Sequence, residues 1–190
     1  MTASLAFALF DTAVGACAVI WSGRGIVGVQ LLERDGHATH ECVRKRFPGA
    51  LETDPPHSVT QAIAGMTALL EGKASDLAAV ALDLEGLSAF NRKVYAVARS
   101  IPPGSTLTYG EVAERLGDKS LARAVGQALG ENPIPLIIPC HRVLAAGGRT
   151  GGFSAPGGTV TKLRLLTIEG AQPGGPTLFD RLPLQGPPQR

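Results

Sequence analysis

Cysteine, methionine and aromatic residues are scarce in this 190-residue chain: three Cys, two Met, one Trp, two Tyr and six Phe. Cys17, Cys42 and Cys140 are odd in number and far apart, which argues against a disulfide framework and for a reducing compartment. Long hydrophobic runs are missing too. The opening MTASLAFALFDTAVGACAVIW is apolar, but no basic segment precedes it and Asp11 interrupts it, so it reads as neither a secretory signal nor a membrane span. Charge is moderate at 18% against 44% hydrophobic residues, an ordinary globular composition. The expectation is a cytoplasmic protein with no membrane partner.

The net charge of +2 hides an asymmetry. Residues 1–90 carry six Lys/Arg against ten Asp/Glu, whereas residues 91–170 carry ten against five. A basic second half beside an acidic first half suits an anionic partner for the second half, nucleic acid being the commonest. A solvated basic surface would look the same by charge alone.

Pattern divides the chain near residue 86. FALF, ACAVIW and GIVGVQLL are short, Ala/Val/Ile-rich segments of strand type, and SGRG between the last two has hairpin chemistry. In residues 57–72, Val59, Ile63, Met66, Leu69 and Leu70 recur at helical spacing, and Gly72 is a stop. AAVALDL then returns to strand character. Residues 1–86 therefore read as an α/β module. Residues 87–170 read as mainly helical: SAFNRKVYAVARS with Ser88 as N-cap, YGEVAERLG, DKSLARAVGQALG, and TVTKLRLLTIEG with Leu163, Leu166 and Ile168 inward. The two middle helices, separated by Gly117-Asp118, have helix-turn-helix spacing. Leu121, Val125, Ala128 and Leu129 form the buried stripe of the second. Its other face, Ala122, Arg123, Gly126 and Gln127, is small apart from one arginine, so it suits either a duplex or a neighbouring helix. Residues 171–190 are rich in Pro, Gly and Gln and read as a mobile tail.

Between these helices lies NPIPLIIPCHRV. Pro133, Pro135 and Pro139 forbid regular helix there, and Cys140 and His141 stand side by side. Three chemistries fit a cysteine beside a histidine. A zinc site needs further ligands at paired spacing, and GHATHEC (His37, His40, Cys42) lacks that spacing, so no metal is expected. A cysteine hydrolase would use a distant base. A thiolate whose proton leaves through His141, with a carboxylate orienting the imidazole, is the third. Local sequence leaves the last two open.

NPIPLIIPCHRV, taken with YGEVAERLGDKSLARAVGQALGENP and LLTIEG, resembles the O6-alkylguanine-DNA alkyltransferase family, the methylated-DNA–protein-cysteine methyltransferases. The resemblance runs from about Tyr109 to Val143 and resumes in the last helix. It implies a ribonuclease H-like first module and a winged-helix-like second one. It also implies irreversible transfer of an alkyl group from O6-alkylguanine in double-stranded DNA to Cys140, one turnover per molecule, with no cofactor. By position, His141 becomes the water-mediated base, Glu169 the carboxylate behind it, Asn132 the hinge of the cysteine loop, and Tyr109 the proton donor to departing guanine. Arg123 becomes the finger that fills the gap left by a flipped nucleotide, and Ala122, Ala124 and Gly126 the small residues entering the minor groove. Ser154, Val143 and Lys162 are assigned to the base pocket.

The chain departs from this pattern at Glu131, where a basic residue often stands, and in FSAPGG, where Tyr-Ser-Gly-Gly is common. A rival expectation is a non-catalytic helix-turn-helix protein with Cys140 incidental. In the tail, Leu178 and Phe179 of PTLFDRLPL read either as a short docking motif for a repair or replication partner or as a segment folding back on the core.

Overall fold

The computed structural model describes residues 4–13, 15–31, 35–73 and 75–171. The expectations for the tail, Leu178 and Phe179 included, lie outside these residues. The first three strands, β1 (Ala6–Thr12), β2 (Gly15–Ser22) and β3 (Gly25–Gln30), form an antiparallel meander, and a short β4 (Leu51–Glu52) pairs parallel with β1 to give the order β3-β2-β1-β4. Alternation along β2 sets the layers. Cys17, Val19 and Trp21 face the main core, while Ala18 and Ile20 face a smaller cluster with Phe7 and Val43. Helix α1 (Gly36–Arg46) covers the smaller cluster through Val43, and α2 (His57–Leu70) covers the opposite face through Val59, Ala62, Met66, Leu69 and Leu70.

Two elements differ from the sequence reading. Helix α1 was not expected, because GHATHECVRKR is polar and buries only Thr39 and Val43; Asp35 caps it, its carboxylate accepting from Ala38 N–H at 2.8 Å. The strand expected over residues 78–84 does not form beyond a single bridge of Leu82 to Ile26. The carbonyls of Leu77, Ala78 and Val80 instead accept from the Arg99 guanidinium at 3.3, 2.5 and 2.9 Å, so only residues 81–83 bond to β3, through Ala81 O and Asp83 N–H.

The second half is α3 (Ala89–Arg99), β5 (Leu107–Thr108), α4 (Tyr109–Arg115), α5 (Ala122–Gly130), β6 (Val143–Leu144) and α6 (Gly158–Ile168). Ser88 caps α3 as expected. Helices α4 and α5 are joined through Gly117, at φ 98°, and a 3-10 turn over Lys119–Leu121 capped by Asp118. Tyr95 on α3 pins α5 from behind, its buried hydroxyl donating to Ala128 O at 2.8 Å. Val125, Ala128 and Leu129 are buried while Arg123 and Gln127 are exposed, so the stripe inferred from spacing is the one that packs. In α6 the inward residues are Thr161, Lys162, Leu165 and Leu166; Leu163, expected inward, is 41% exposed. The helix turns about a buried lysine, whose ammonium finds carbonyl partners, and that rotation moves Leu163 outward.

A capping box starts α4. Thr108 Oγ1 accepts from Glu111 N–H at 3.2 Å, and the Glu111 carboxylate accepts from Thr108 N–H at 2.6 Å. Thr108→Ala is expected to cost about 1 kcal/mol, read as a lower denaturant midpoint at unchanged slope. One hydrophobic core runs without a break from Ala8 and Val19 through Met66, Tyr95 and Ile134 to Leu165, and Val29 N–H donates to Pro133 O at 2.9 Å where the halves meet. Among the described residues no helix is long and apolar enough to cross a membrane.

Candidate active site

The loop carrying Cys140 is closed by one side-chain amide. Asn132 Oδ1 accepts from Ile134 N–H at 2.9 Å and Asn132 Nδ2 donates to Ile138 O at 2.8 Å, clasping both ends of the proline-rich segment. Backbone bonds from Ile138 N–H to Ile134 O (2.9 Å) and from Cys140 N–H to Ile138 O (2.8 Å) tighten it further. Among the described residues Leu136 is the one non-glycine with positive φ, at 72°, and its side chain is fully buried. A left-handed leucine costs about 1 kcal/mol or more and persists only where packing holds it.

Residues Cys140–Arg142 then make a single 3-10 turn. At three residues per turn, successive side chains point about 120° apart. That resolves the puzzle of the neighbouring thiol and imidazole: they do not face each other. Cys140 faces two clefts, while His141 and Arg142 turn inward to Glu169. His141 Nε2 lies 2.9 Å from Glu169 Oε1; Arg142 donates from Nε to Oε2 at 2.9 Å and from Nη2 to Oε1 at 2.7 Å, and its Nη1 donates to Ile101 O at 2.6 Å. His141 is fully buried and the Glu169 side chain is 2% exposed.

Burial alone would push the Glu169 carboxyl up, but hydrogen bonds from His141 and Arg142, and their charges, hold it down at about 2. It is therefore a carboxylate, which fixes the hydrogen of the neutral imidazole on Nε2 and leaves Nδ1 as the basic nitrogen. Nδ1 is buried and has no hydrogen-bond partner among the described residues. Burial pulls His141 below its usual value despite Glu169, so the resting ring is neutral. Burial likewise pushes the Cys140 thiol up, against opposing contributions from the Asn132 side chain, the Lys162 cation and backbone N–H groups. The resting sulfur carries its proton.

The parallel pair β5–β6 sets Leu107 against Val143 and Thr108 against Leu144, and so brings Tyr109 beside the cysteine turn. One cleft, about 480 Å³, is lined by Tyr109, Gly126, Leu129, Cys140, Phe153 and Ser154 among others. Gly151, at φ 67°, lets the chain pass so close that an added Cβ would lie 3.1 Å from the Tyr109 hydroxyl. Tyr109 is pushed up by burial and by Cys140, so it stays a phenol. Lys162 is fully buried, donates to Val143 O at 2.6 Å and lies 5.8 Å over the Tyr109 ring. Burial brings it down to about 8, against the pull of Cys140. A second cleft, about 540 Å³, lies on the other side of Cys140, between Asn132, Ser154 and Pro156 of the second half and Gln30, Cys42 and Arg46 of the first.

Of the expected residues, Cys140, Tyr109, Asn132, Gly126 and Ser154 line these clefts, with His141, Glu169 and Lys162 directly behind. Arg123 is exposed on α5, with Ala122 and Ala124 half-buried beside it. Val143, expected in the base pocket, lines neither cleft: its side chain is in the core, its N–H donates to Cys140 O and its carbonyl accepts from Lys162. Sequence reasoning missed Arg142. The signal was available, since a buried carboxylate behind an imidazole calls for a second cation and Arg142 stands next in the motif. Among the described residues no group of three His, Cys, Asp or Glu is arranged to hold a metal.

Residues 89–171 match the family described as 6-O-methylguanine DNA methyltransferase, DNA binding domain. The chain is 37% identical over 152 residues to the methylated-DNA–protein-cysteine methyltransferase of Methanothermobacter thermautotrophicus, spanning 80% of this chain and 78% of that protein. It is 34% identical over 171 residues to the protein of that name in Mycobacterium tuberculosis, spanning 90% and 96%. The crystal structure of Mycobacterium tuberculosis OGT in complex with DNA matches with a TM-score of 0.70 at 30% identity, over 86% of this chain and 92% of that one. The Mycobacterium tuberculosis O6-methylguanine methyltransferase structure matches with a TM-score of 0.71 over 95% and 96%. These neighbours, too, join a mixed α/β first part to a helical second part. With an α/β N-terminal part, a helical C-terminal part and similarity along most of its length, this chain belongs to the methylated-DNA–protein-cysteine methyltransferase family.

Proposed function

We propose that the protein repairs double-stranded DNA by direct reversal, moving the alkyl group of O6-alkylguanine onto its own Cys140. The observation that carries the reading is the placement of a cleft-lining cysteine on the same turn as an imidazole backed by a buried carboxylate, directly behind the α5 face. An O6 substituent is inaccessible inside a duplex, so the nucleotide must leave the stack. Ala122, Ala124 and Gly126 on α5 let the helix approach the minor groove, and exposed Arg123 fills the space the base vacates. The Tyr109 cleft takes the base, with Ser154 at its mouth and Lys162 supporting its wall; Val143 braces that lysine from the core.

As the lesion arrives, the Cys140 proton passes through a water to His141 Nδ1, and Glu169 stabilises the imidazolium that results. The S–C bond forms as the C–O6 bond breaks, Tyr109 donates a proton to the departing guanine, and Lys162 favours the transient thiolate. The product is a thioether with no carbonyl for water to attack, so each molecule acts once and needs no cofactor. A ribonuclease H-like topology for residues 1–86, a winged-helix-like arrangement for residues 87–170 and a cytoplasmic location complete the reading, with the tail expected from 171 starting instead after Ala171, which is buried against Leu144 and Leu166.

The test is incubation with duplex carrying a labelled O6-methylguanine. Label should move to the Cys140 peptide, at one equivalent at most, in a single exponential without turnover. Label remaining on DNA in the presence of bound protein would favour a lesion-binding protein instead.

A further inference from the structure

The first half of the chain supplies one wall of the second cleft. Arg46, the last residue of α1, is the only cation lining either cleft beside Cys140 among the described residues. Arg44 and Lys45 precede it, and all three are exposed. They are consecutive cations in a half of the chain that is otherwise acidic. Cations in the last turn also complement the helix dipole, but Arg46 is directed elsewhere. Its Nη1 donates to Oε1 of buried Gln30 at 2.7 Å and its guanidinium lies 5.3 Å over the Phe47 ring, which fixes the charge at the cleft rim. The facing rim carries the opposite sign: Glu131, beside the carbonyl end of α5. This cleft, like the Tyr109 cleft, opens onto Cys140, and among the described residues the only positive charge lining it comes from α1.

We propose that Arg44, Lys45 and Arg46 form a second DNA-contacting edge, holding backbone phosphates while α5 occupies the groove. This rests on the proposed function, and it makes the first half part of the DNA-binding surface. Phosphate contacts are sequence-independent and release counterions, each flattening the salt dependence of binding by about 0.9 when lost.

The experiment measures affinity of the full chain for an unmodified duplex by fluorescence anisotropy, from 50 to 200 mM salt. In the triple variant R44Q/K45Q/R46Q the slope of log K against log salt should become shallower by about 2.7, three contacts at about 0.9 each, and affinity at low salt should fall at least tenfold. Adding Glu131→Arg on the facing rim should restore about one contact's share, roughly 0.9 of the slope, which a misfolded protein could not show. A triple variant with the wild-type slope would overturn the proposal, as would a loss that Glu131→Arg leaves uncorrected. Methyl transfer to Cys140 in the wild type is scored separately, so that either outcome here leaves the proposed chemistry independently judged.

Discussion

Cys140→Ala is expected to bind duplex carrying O6-methylguanine with near wild-type affinity and to take up no label. The loop does not depend on the sulfur for its shape. Asn132 clasps it, Leu136 anchors it in the core, and the carbonyls of Ile134 and Ile138 are bound by backbone N–H groups. Removing one small buried atom costs on the order of 1 kcal/mol, too little to unfold the site. The contrast with Cys42 sharpens the measurement. Cys42 also lines the second cleft, whereas Cys17 is fully buried in the sheet. Mass spectrometry of the variant should therefore find all three regions of the chain unmodified. Label on Cys42 would mean that the cleft, and not the His141–Glu169 pair, is what makes a thiol reactive.

Glu169→Gln should be the most damaging change that spares the acceptor. The carboxylate makes three side-chain hydrogen bonds, at 2.9, 2.9 and 2.7 Å, two of them from a buried arginine. Removing its charge leaves the buried Arg142 guanidinium without its counter-charge, a class of change that costs about 3–5 kcal/mol. The transfer rate should fall as well, by about 10²–10⁴, because the imidazole loses both its fixed tautomer and the charge that stabilises its protonated form. The pH dependence separates the two effects. Glu169 sits at about 2 when folded against an ordinary 4.5, so its stabilisation is complete above 4.5 and is lost as pH falls towards 2, on the order of 3 kcal/mol. His141 is held below its ordinary value by burial, so the folded state also loses stability as pH falls below 6.5. Both losses run in one direction. In the Gln variant the loss of stability between pH 4.5 and 2 in a urea-midpoint series should shrink, the remainder coming from other lowered carboxyls such as Glu111 and Asp118. A loss as large as that of the wild type would remove Glu169 from the network.

The parts of the fold legible in the sequence were those where spacing and burial coincide. Strands β1 to β3, helix α2 and the stripe of α5 each had enough apolar residues at the right period for the pattern to survive in three dimensions. Helix α1 did not, since it buries only Thr39 and Val43 and its start depends on an aspartate cap. Residues 78–84 failed for a tertiary reason: one arginine, Arg99, captures carbonyls that a strand would have paired. The buried Lys162 shifted the expected face of α6, leaving Leu166 inward but Leu163 exposed, because periodicity treats lysine as polar and cannot see Val143 O waiting for it. At the site, Cys140 and His141 stood out in the local sequence, but the choice of Glu169 as the carboxylate, and of alkyl acceptance as the role of Cys140, came only through family resemblance. Spacing could not bring Glu169 to His141 across 28 positions. Arg142 was missed because a residue so close to an acceptor cysteine draws attention to chemistry and not to support.

The unbroken core has a practical corollary for anyone engineering this protein. Because Val19, Met66, Tyr95 and Leu165 belong to one apolar continuum, the change of pattern read in the sequence near residue 86 is not a seam along which the chain can be cut. A fragment starting there would carry all the proposed chemistry yet present raw hydrophobic surface to water, and grafting it onto a foreign partner would require rebuilding the face that β3 and α2 provide. Calorimetry of the intact chain should accordingly record a single endotherm.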